Sequence, residues 1–420
     1  MQTQKEQLFA VLEEAGMPPV PDEFSVVPWY QAISPGILEE IQVFIRTFED
    51  VTRRPSWQET VTAAAPEIAR HPRPEVCFFS AWDFHLPPDQ NWQMIEFNDN
   101  GSGLLFAGLI NDRYYQIFDL SQQAALQPPP VYTELTERII ASVKQEVMAF
   151  FPRWPQGLFL ILEDREALQR GKFRHELMLL RDLFRQQGWR AEMAAPGYMD
   201  WDGQQLCWKG QKVSFIVNRS TDFLWQAEVF SPLRAAYEAG QVYVAPNPFT
   251  YATRSDKRLM ERLSLSDWDQ ALGIQPQERA ILSAHIPETH WLRPENVEEL
   301  ARRKEEFIFK PAQGFAARGV LASTQVGRSR LRRLLKEGVG YVAQKKIPKS
   351  LLRGKEPKNT RLWTDLRVWA YRGQILLLSG RASSRPDSLD LSPPGGWIPT
   401  YVRCSKIPLS LRWSGIKPGA

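Results

Sequence analysis

The chain has 420 residues, 43% of them hydrophobic and 24% charged, which is enough for two or three domains with cores of their own. A net charge of +4 on that length leaves no electrostatic footprint for nucleic acid, and no apolar run approaches a membrane span. The three cysteines (Cys77, Cys207, Cys404) include no CxxC and the five histidines share no metal spacing; this excludes a disulfide scaffold and a thiolate zinc site and fits the reducing cytoplasm.

The N-terminus is polar, without a signal-peptide pattern. Residues 3–15 predict an amphipathic helix stopped by Gly16 and Pro18-Pro19. Ser34-Pro35 opens a second helix through Ile37, Ile41, Phe44 and Ile45, with Ser as N-cap and Pro in the first turn. A third is expected over 57–68. Two strand-like runs follow, Val76–His85 and Trp92–Asn98, joined by turn chemistry at 86–90. They predict an antiparallel hairpin. Leu104–Phe118 and Thr133–Phe150 read as helices around a linker at 122–130.

The composition then shifts. Gly157–Leu162 is a continuous apolar run, as in a buried parallel strand. Helices at 175–187 and 232–239 alternate with strands at 189–195, 213–217 and 242–244, which predicts a Rossmann-like open sheet. It carries neither GxGxxG nor GxxxxGK[ST]. From 251 the expectation is a helix starting at Asp256-Lys257, a helix over 294–303, a strand Phe307–Lys310, and a glycine-containing loop 313–319. A strand at 320–322, a helix at 329–336 and a strand Tyr341–Gln344 come next. A hairpin, Trp363–Tyr371 with Gln374–Gly380, turns at Arg372-Gly373. The rest reads as a tail around Pro393-Pro394-Gly395-Gly396.

Several residues stand where chemistry is possible. Glu96 and Asn98 share a strand face, and Asp83 can join them across the hairpin. Two carboxylates and an amide make an all-oxygen set suited to Mg²⁺ with phosphates as further ligands; a solvated acidic hairpin end is the plainer reading. Lys310 leaves a core strand just before Gly314 and Gly319. It reads either as a phosphate-binding point charge or as a snorkelling strand-end lysine. Lys257 at a helix start has the same two readings. Arg219 follows an apolar strand; it reads either as a ligand-binding residue, where open α/β sheets place them, or as a solvated strand-end arginine. Asp365 and Arg367 share a face, but a regular hairpin pairs Arg381 with Thr364, opposite Arg367; a bulge would be needed to bring both arginines to one site. The basic run Arg328–Arg333 reads as the wet face of a helix.

Together these pieces resemble the circularly permuted branch of the ATP-grasp superfamily, similar to the synthetase part of glutathionylspermidine synthases. Asp256-Lys257 resembles the first nucleotide-binding lysine, and Ile286–Thr289 the segment leading into the lid. Phe309-Lys310-Pro311 with Gly314, Arg318 and Gly319 resembles the second lysine and its phosphate-covering loop. Tyr341–Lys345, with Gln344 and Lys345, is similar to the hinge strand beside adenine, and Trp82-Asp83 with Ile95–Asn98 to the magnesium hairpin. That hairpin comes first here, as in the permuted order.

The resemblance implies an α/β ATP-grasp fold: an N-terminal helical segment (1–75), a metal-binding hairpin (76–130), a Rossmann-like domain (131–250), a lid and linker region (251–345) and a C-terminal half (346–420). It implies ATP and Mg²⁺, the metal on Asp83, Glu96 and Asn98, and catalysis by Lys310, Arg367 and Arg381. The activity implied is joining a small-molecule or peptide carboxylate to an amine through an acylphosphate; a phosphotransferase or a lapsed nucleotide-binding protein is the alternative. Two features depart from the pattern. The arginine usual two residues before the metal aspartate is Ala81, for which Arg367, Arg381 or Arg318 are the replacements, and Glu356 is the nearest candidate for the ribose.

Overall fold

A computed structural model describes residues 25–404 apart from 74, 90, 124, 265–271, 315–318, 339, 354–360, 387–390 and 392, together with 10 and 13 upstream. The helix expected over 3–15 therefore lies outside the described residues, apart from those two positions.

Strands from both ends of the chain build one eight-stranded sheet. The hairpin Ala81–His85 and Gln93–Asn98 pairs, through its first strand, antiparallel to Leu366–Tyr371. That strand turns into Gln374–Ser383, which pairs with Gly396–Val402, and Gln31–Ile33 closes the row in parallel. Arg361–Thr364 pairs with Gln374–Ser383 and carries Ser350–Arg353. Under one face packs the helix Pro35–Thr52. It starts as expected, the Ser34 hydroxyl accepting from the Ile37 N–H at 3.2 Å. Ile41, Phe44, Ile45, Phe48 and Val51 recur at helical spacing and pack with Trp82, Phe84, Phe97 and Val368. The opposite face carries the helix Leu104–Ile117. Its N-terminus is closed by buried Glu176, which accepts from the Gly103 and Leu105 N–H groups at 2.8 and 3.0 Å. Gly103 has φ +100°, and a Cβ there would strike Trp397 at 2.5 Å, so only glycine fits.

The Rossmann-like sheet forms as expected. Ala191–Ala194, Leu158–Leu162, Gln211–Asn218 and Tyr243–Ala245 lie side by side and parallel. A small antiparallel hairpin, Met199–Trp201 with Leu206–Trp208, extends one end of Gln211–Asn218. A third sheet is antiparallel, with Tyr341–Lys345 between Thr289–Trp291 and Phe307–Pro311. Leu300 and Leu331 from the helices Val297–Arg302 and Arg328–Lys336 back it. The arginines of the latter helix face solvent, and Arg328 and Arg332 pair with Glu298.

Several expectations need correction. The helix over 57–68 is two, Pro55–Thr62 and Glu67–Arg70, and the one expected from Asp256-Lys257 starts at Leu259. The strand over Val76–His85 begins only at Ala81, because Ser80 turns back to the Cys77 carbonyl, its hydroxyl donating at 2.9 Å. The strand at 320–322 shrinks to one bridge, Phe309 with Leu321. Trp363–Tyr371 breaks at Asp365, whose side chain is drawn back onto the Arg381 N–H. The presumed tail from Pro393 contains the wholly buried strand Gly396–Val402, hidden by prolines and glycines that read as breakers.

Candidate active site

Glu96, Asp83, Arg367 and Ser379 are successive register partners across four strands, so their side chains share one face. Asp83 is buried, and Arg367 grips it in a fork, Nε to Oδ1 and Nη2 to Oδ2, both at 2.7 Å. Arg381 adds Nη2 to Oδ2 at 2.9 Å. Burial alone would raise the Asp83 carboxyl; the two guanidiniums outweigh it and hold the group well below the usual carboxylate range.

Arg381 gets there by a bulge. Trp369 faces Leu377, but Ala370 faces Ile375, so one extra residue enters the second strand. Thr364 consequently meets Ala382. Arg381 stands against Asp365, donating its N–H to Oδ1 at 2.9 Å, and Nε and Nη2 to Oδ2 at 3.0 and 2.5 Å. Arg367 and Arg381 thus reach the same carboxylate.

The lysines come from the other two regions. Tyr251–Ser255 is a π-helical turn, a rare conformation frequent at functional sites. Just past it, the Lys257 ammonium lies 2.9 Å from Glu96 and donates to the Gly314 carbonyl at 2.6 Å. Lys310 donates to Gln344 Oε1 at 2.7 Å, and Gln344 Nε2 donates to the Ile95 carbonyl at 3.2 Å. Burial pushes the Lys310 ammonium down to about 8, with Glu96 pulling the other way. Burial would raise the Glu96 carboxyl, but Lys257 and Lys310 bring it below its ordinary value. Ile95, Glu96, Lys257, Lys310, Val342 and Gln344 line one cavity. An adjoining cavity shares Lys257 and is lined by Asn98, Asn100, Asn218 and Gly314.

Of the residues expected from sequence, Asp83, Glu96, Asn98, Lys257, Lys310, Gly314, Gln344, Arg367 and Arg381 gather along this cleft. Lys345 does not: its side chain is exposed and its N–H donates to the Glu288 carbonyl at 2.8 Å. It alternates with Gln344 and so points the other way. Gly319 takes φ +73°, its carbonyl accepting from the Tyr341 hydroxyl at 2.9 Å. Arg318 and Glu356 lie outside the described residues. Ala81 is covered by the main chain at Gly101, where a Cβ would come within 2.4 Å of the Ala81 Cβ. Arg219 reaches the Ser102 hydroxyl, and the Ser102 carbonyl accepts from Arg367 Nη1 at 3.0 Å. Nε and Nη1 of Arg219 are buried without a partner.

Sequence reasoning gave no role to Ser102 or Asn100; Asn100 stands in the turn after the strand Gln93–Asn98, where the two-residue period of Glu96 and Asn98 no longer holds. Arg254 lines the first cavity but lies 5.0 Å from the ring of Phe97, whose side chain is on the far face from Glu96. Its nearest carboxylates are Glu49 at 3.5 Å and Asp99 at 3.6 Å. It serves that buried charge cluster. Among the described residues no three His, Cys, Asp or Glu side chains cluster as a metal site.

No protein-family model matches the chain, and no curated protein does. Among solved structures it is similar to an RimK-domain ATP-grasp protein of Sphaerobacter thermophilus, at 15% identity over 46% of this chain and 64% of that one, TM-score 0.30. It is similar to a putative gamma-glutamylcysteine synthetase of Methylobacillus flagellatus, at 11% identity over 88% of each chain, TM-score 0.47. It is also similar to a glutathione synthetase-like effector, GSS30, of Globodera pallida: TM-score 0.59 over 96% of this chain and 98% of that one, at 8% identity. The chain shares the fold of that effector. The eight-stranded sheet takes its acidic hairpin from early in the chain and its arginine strands from late in it. Among the described residues no helix is long and apolar enough to cross a membrane.

Proposed function

We propose that this chain is an ATP-dependent carboxylate–amine ligase. ATP would phosphorylate a substrate carboxylate, and an amine would attack the acylphosphate, giving an amide, ADP and phosphate. The observation that carries this reading is the convergence of Lys257 and Lys310 on Glu96, beside the arginine-held Asp83. Cations in a buried cleft stabilise developing phosphoryl charge far more than they do in water.

Each residue then has a role. Lys257 and Lys310 hold the phosphates. Arg367 and Arg381, fixed by Asp83 and Asp365, present positive charge where the phosphoryl group transfers. The unpartnered nitrogens of Arg219 offer a place for the substrate carboxylate, next to Ser102. Mg²⁺ suits the oxygen donors of Glu96 and Asn98, and when bound it would neutralise phosphate charge. The loop around Gly314 and Gly319 would cover the phosphates and keep water from the acylphosphate. The substrates would be a small-molecule or peptide acid and an amine.

Incubation with ATP, Mg²⁺ and panels of acids and amines tests this. A ligase yields amide and free phosphate in equal amounts. Phosphate left on an acceptor would make the chain a kinase on the same scaffold.

A further inference from the structure

We propose that Asn100 supplies an amide oxygen to the divalent cation and that Asp83 does not bind it, serving instead to hold the two arginines. This rests on the ligase reading, which brings a nucleotide-bound cation to this cleft. Three observations carry it. The two oxygens of Asp83 already accept from Arg367 Nε, Arg367 Nη2 and Arg381 Nη2 within 2.9 Å. A cation on either oxygen would sit against two guanidinium charges, and Arg381 cannot withdraw without also leaving Asp365. Glu96 is different, since its direct partner Lys257 and nearby Lys310 carry their charges on flexible stems, which can move to phosphates.

Asn100 is placed to complete the set. Its Oδ1 is buried with no hydrogen-bond partner. It lines the same cavity as Asn98, Lys257 and Gly314. Glu96 and Asn98 share a face of the strand Gln93–Asn98, Asn100 stands in the turn just after it, and Lys257 lines both the cavity of Glu96 and that of the two asparagines, giving one carboxylate and two amide oxygens. Mg²⁺ commonly takes one or two carboxylates and fills its octahedron with phosphate oxygens and water. Glu96 supplies the carboxylate, and the amides add donors without adding negative charge beside ATP.

The test is Mn²⁺ binding, followed by electron paramagnetic resonance, to the full chain with a non-hydrolysable ATP analogue. Asn100→Ala should weaken Mn²⁺ binding about tenfold or more. Asn100→Asp, nearly isosteric, should tighten it. Analogue affinity without metal should stay level in both. Unchanged Mn²⁺ affinity in Asn100→Ala, or a larger loss in a folded Asp83→Asn variant than in Asn100→Ala, overturns the assignment. If the unmodified chain binds the analogue but never Mn²⁺ with it, the cation site is wrong altogether. If it binds no analogue, the ligase reading itself falls.

Discussion

Arg381 stands opposite Asp365, the Asp365 N–H donating to its carbonyl at 3.1 Å, one residue out of step with the place an unbroken hairpin would give it. That single inserted residue moves a guanidinium from one face of the sheet to the other. It converts an isolated Arg367–Asp83 pair into a four-membered network with two carboxylates and two arginines.

Arg381→Met should therefore be costly. It strands Asp365 and removes one of the two charges on Asp83, both buried. Breaking such a pair from one side costs about 3–5 kcal/mol. Urea unfolding would show a lower midpoint, and turnover with ATP should be lost even in the folded fraction. Arg381→Lys should recover part of the stability but little of the activity, because an ammonium cannot fork between two carboxylates.

Lys310 sets a pH dependence. Its ammonium is held at about 8 rather than 10.5, chiefly by burial. Phosphate needs it charged, so ADP affinity should fall as pH rises through about 8, and binding near that pH should take up protons. Stability runs the other way. The unfolded chain holds more protons between the two values, so the nucleotide-free protein should gain stability across that window. Calorimetry in buffers of different ionisation enthalpy reads the proton uptake, and thermal melts read the second effect.

Lys257→Met should weaken ADP binding about tenfold, roughly 1.4 kcal/mol, and leave adenosine binding unchanged. The variant also deprives Glu96 of its nearest cation, so the carboxyl should titrate higher. Equal losses for ADP and adenosine would point to a disturbed cavity rather than a lost phosphate contact.

Glu146 gives a control away from the cleft. It is buried in the helix Tyr132–Phe150 and accepts from the Tyr371 hydroxyl at 2.6 Å, Arg372 Nε at 2.8 Å and the Tyr243 hydroxyl at 3.3 Å. It joins the eight-stranded sheet to the Rossmann-like one. Glu146→Leu leaves the Tyr371 hydroxyl and the Arg372 guanidinium short of an acceptor, while the Tyr243 hydroxyl keeps the Val76 carbonyl at 3.0 Å; the loss is worth about 1–3 kcal/mol. Chemical denaturation should show that loss while nucleotide affinity is unaltered.

Much of this was legible from residue patterns. Leu158–Leu162 reads as a buried strand because its apolar run is unbroken, and Ser34-Pro35 marks a helix start by its own chemistry. Glu96 and Asn98 share a face by the two-residue period alone. The side of the sheet taken by Arg381 was not legible, because nothing in Trp369–Ile375 announces a bulge; a slip of one residue inverts every later side chain. Gly396–Val402 was missed for the opposite reason. Its breakers are real, but burial against Gln374–Ser383 overrides them. Lys345 was misread because adjacency to Gln344 is not proximity on a strand.

The union of Asp83 with Arg367 spans 284 positions of sequence. During translation the acidic hairpin leaves the ribosome early, with the edge meant for Leu366–Tyr371 still bare. Contacts this distant slow folding, and an unpaired edge is a template for the wrong strand. Nascent chains should thus depend on chaperones until Leu366–Tyr371 and the strands that follow it arrive, and the cleft comes into being only when they do.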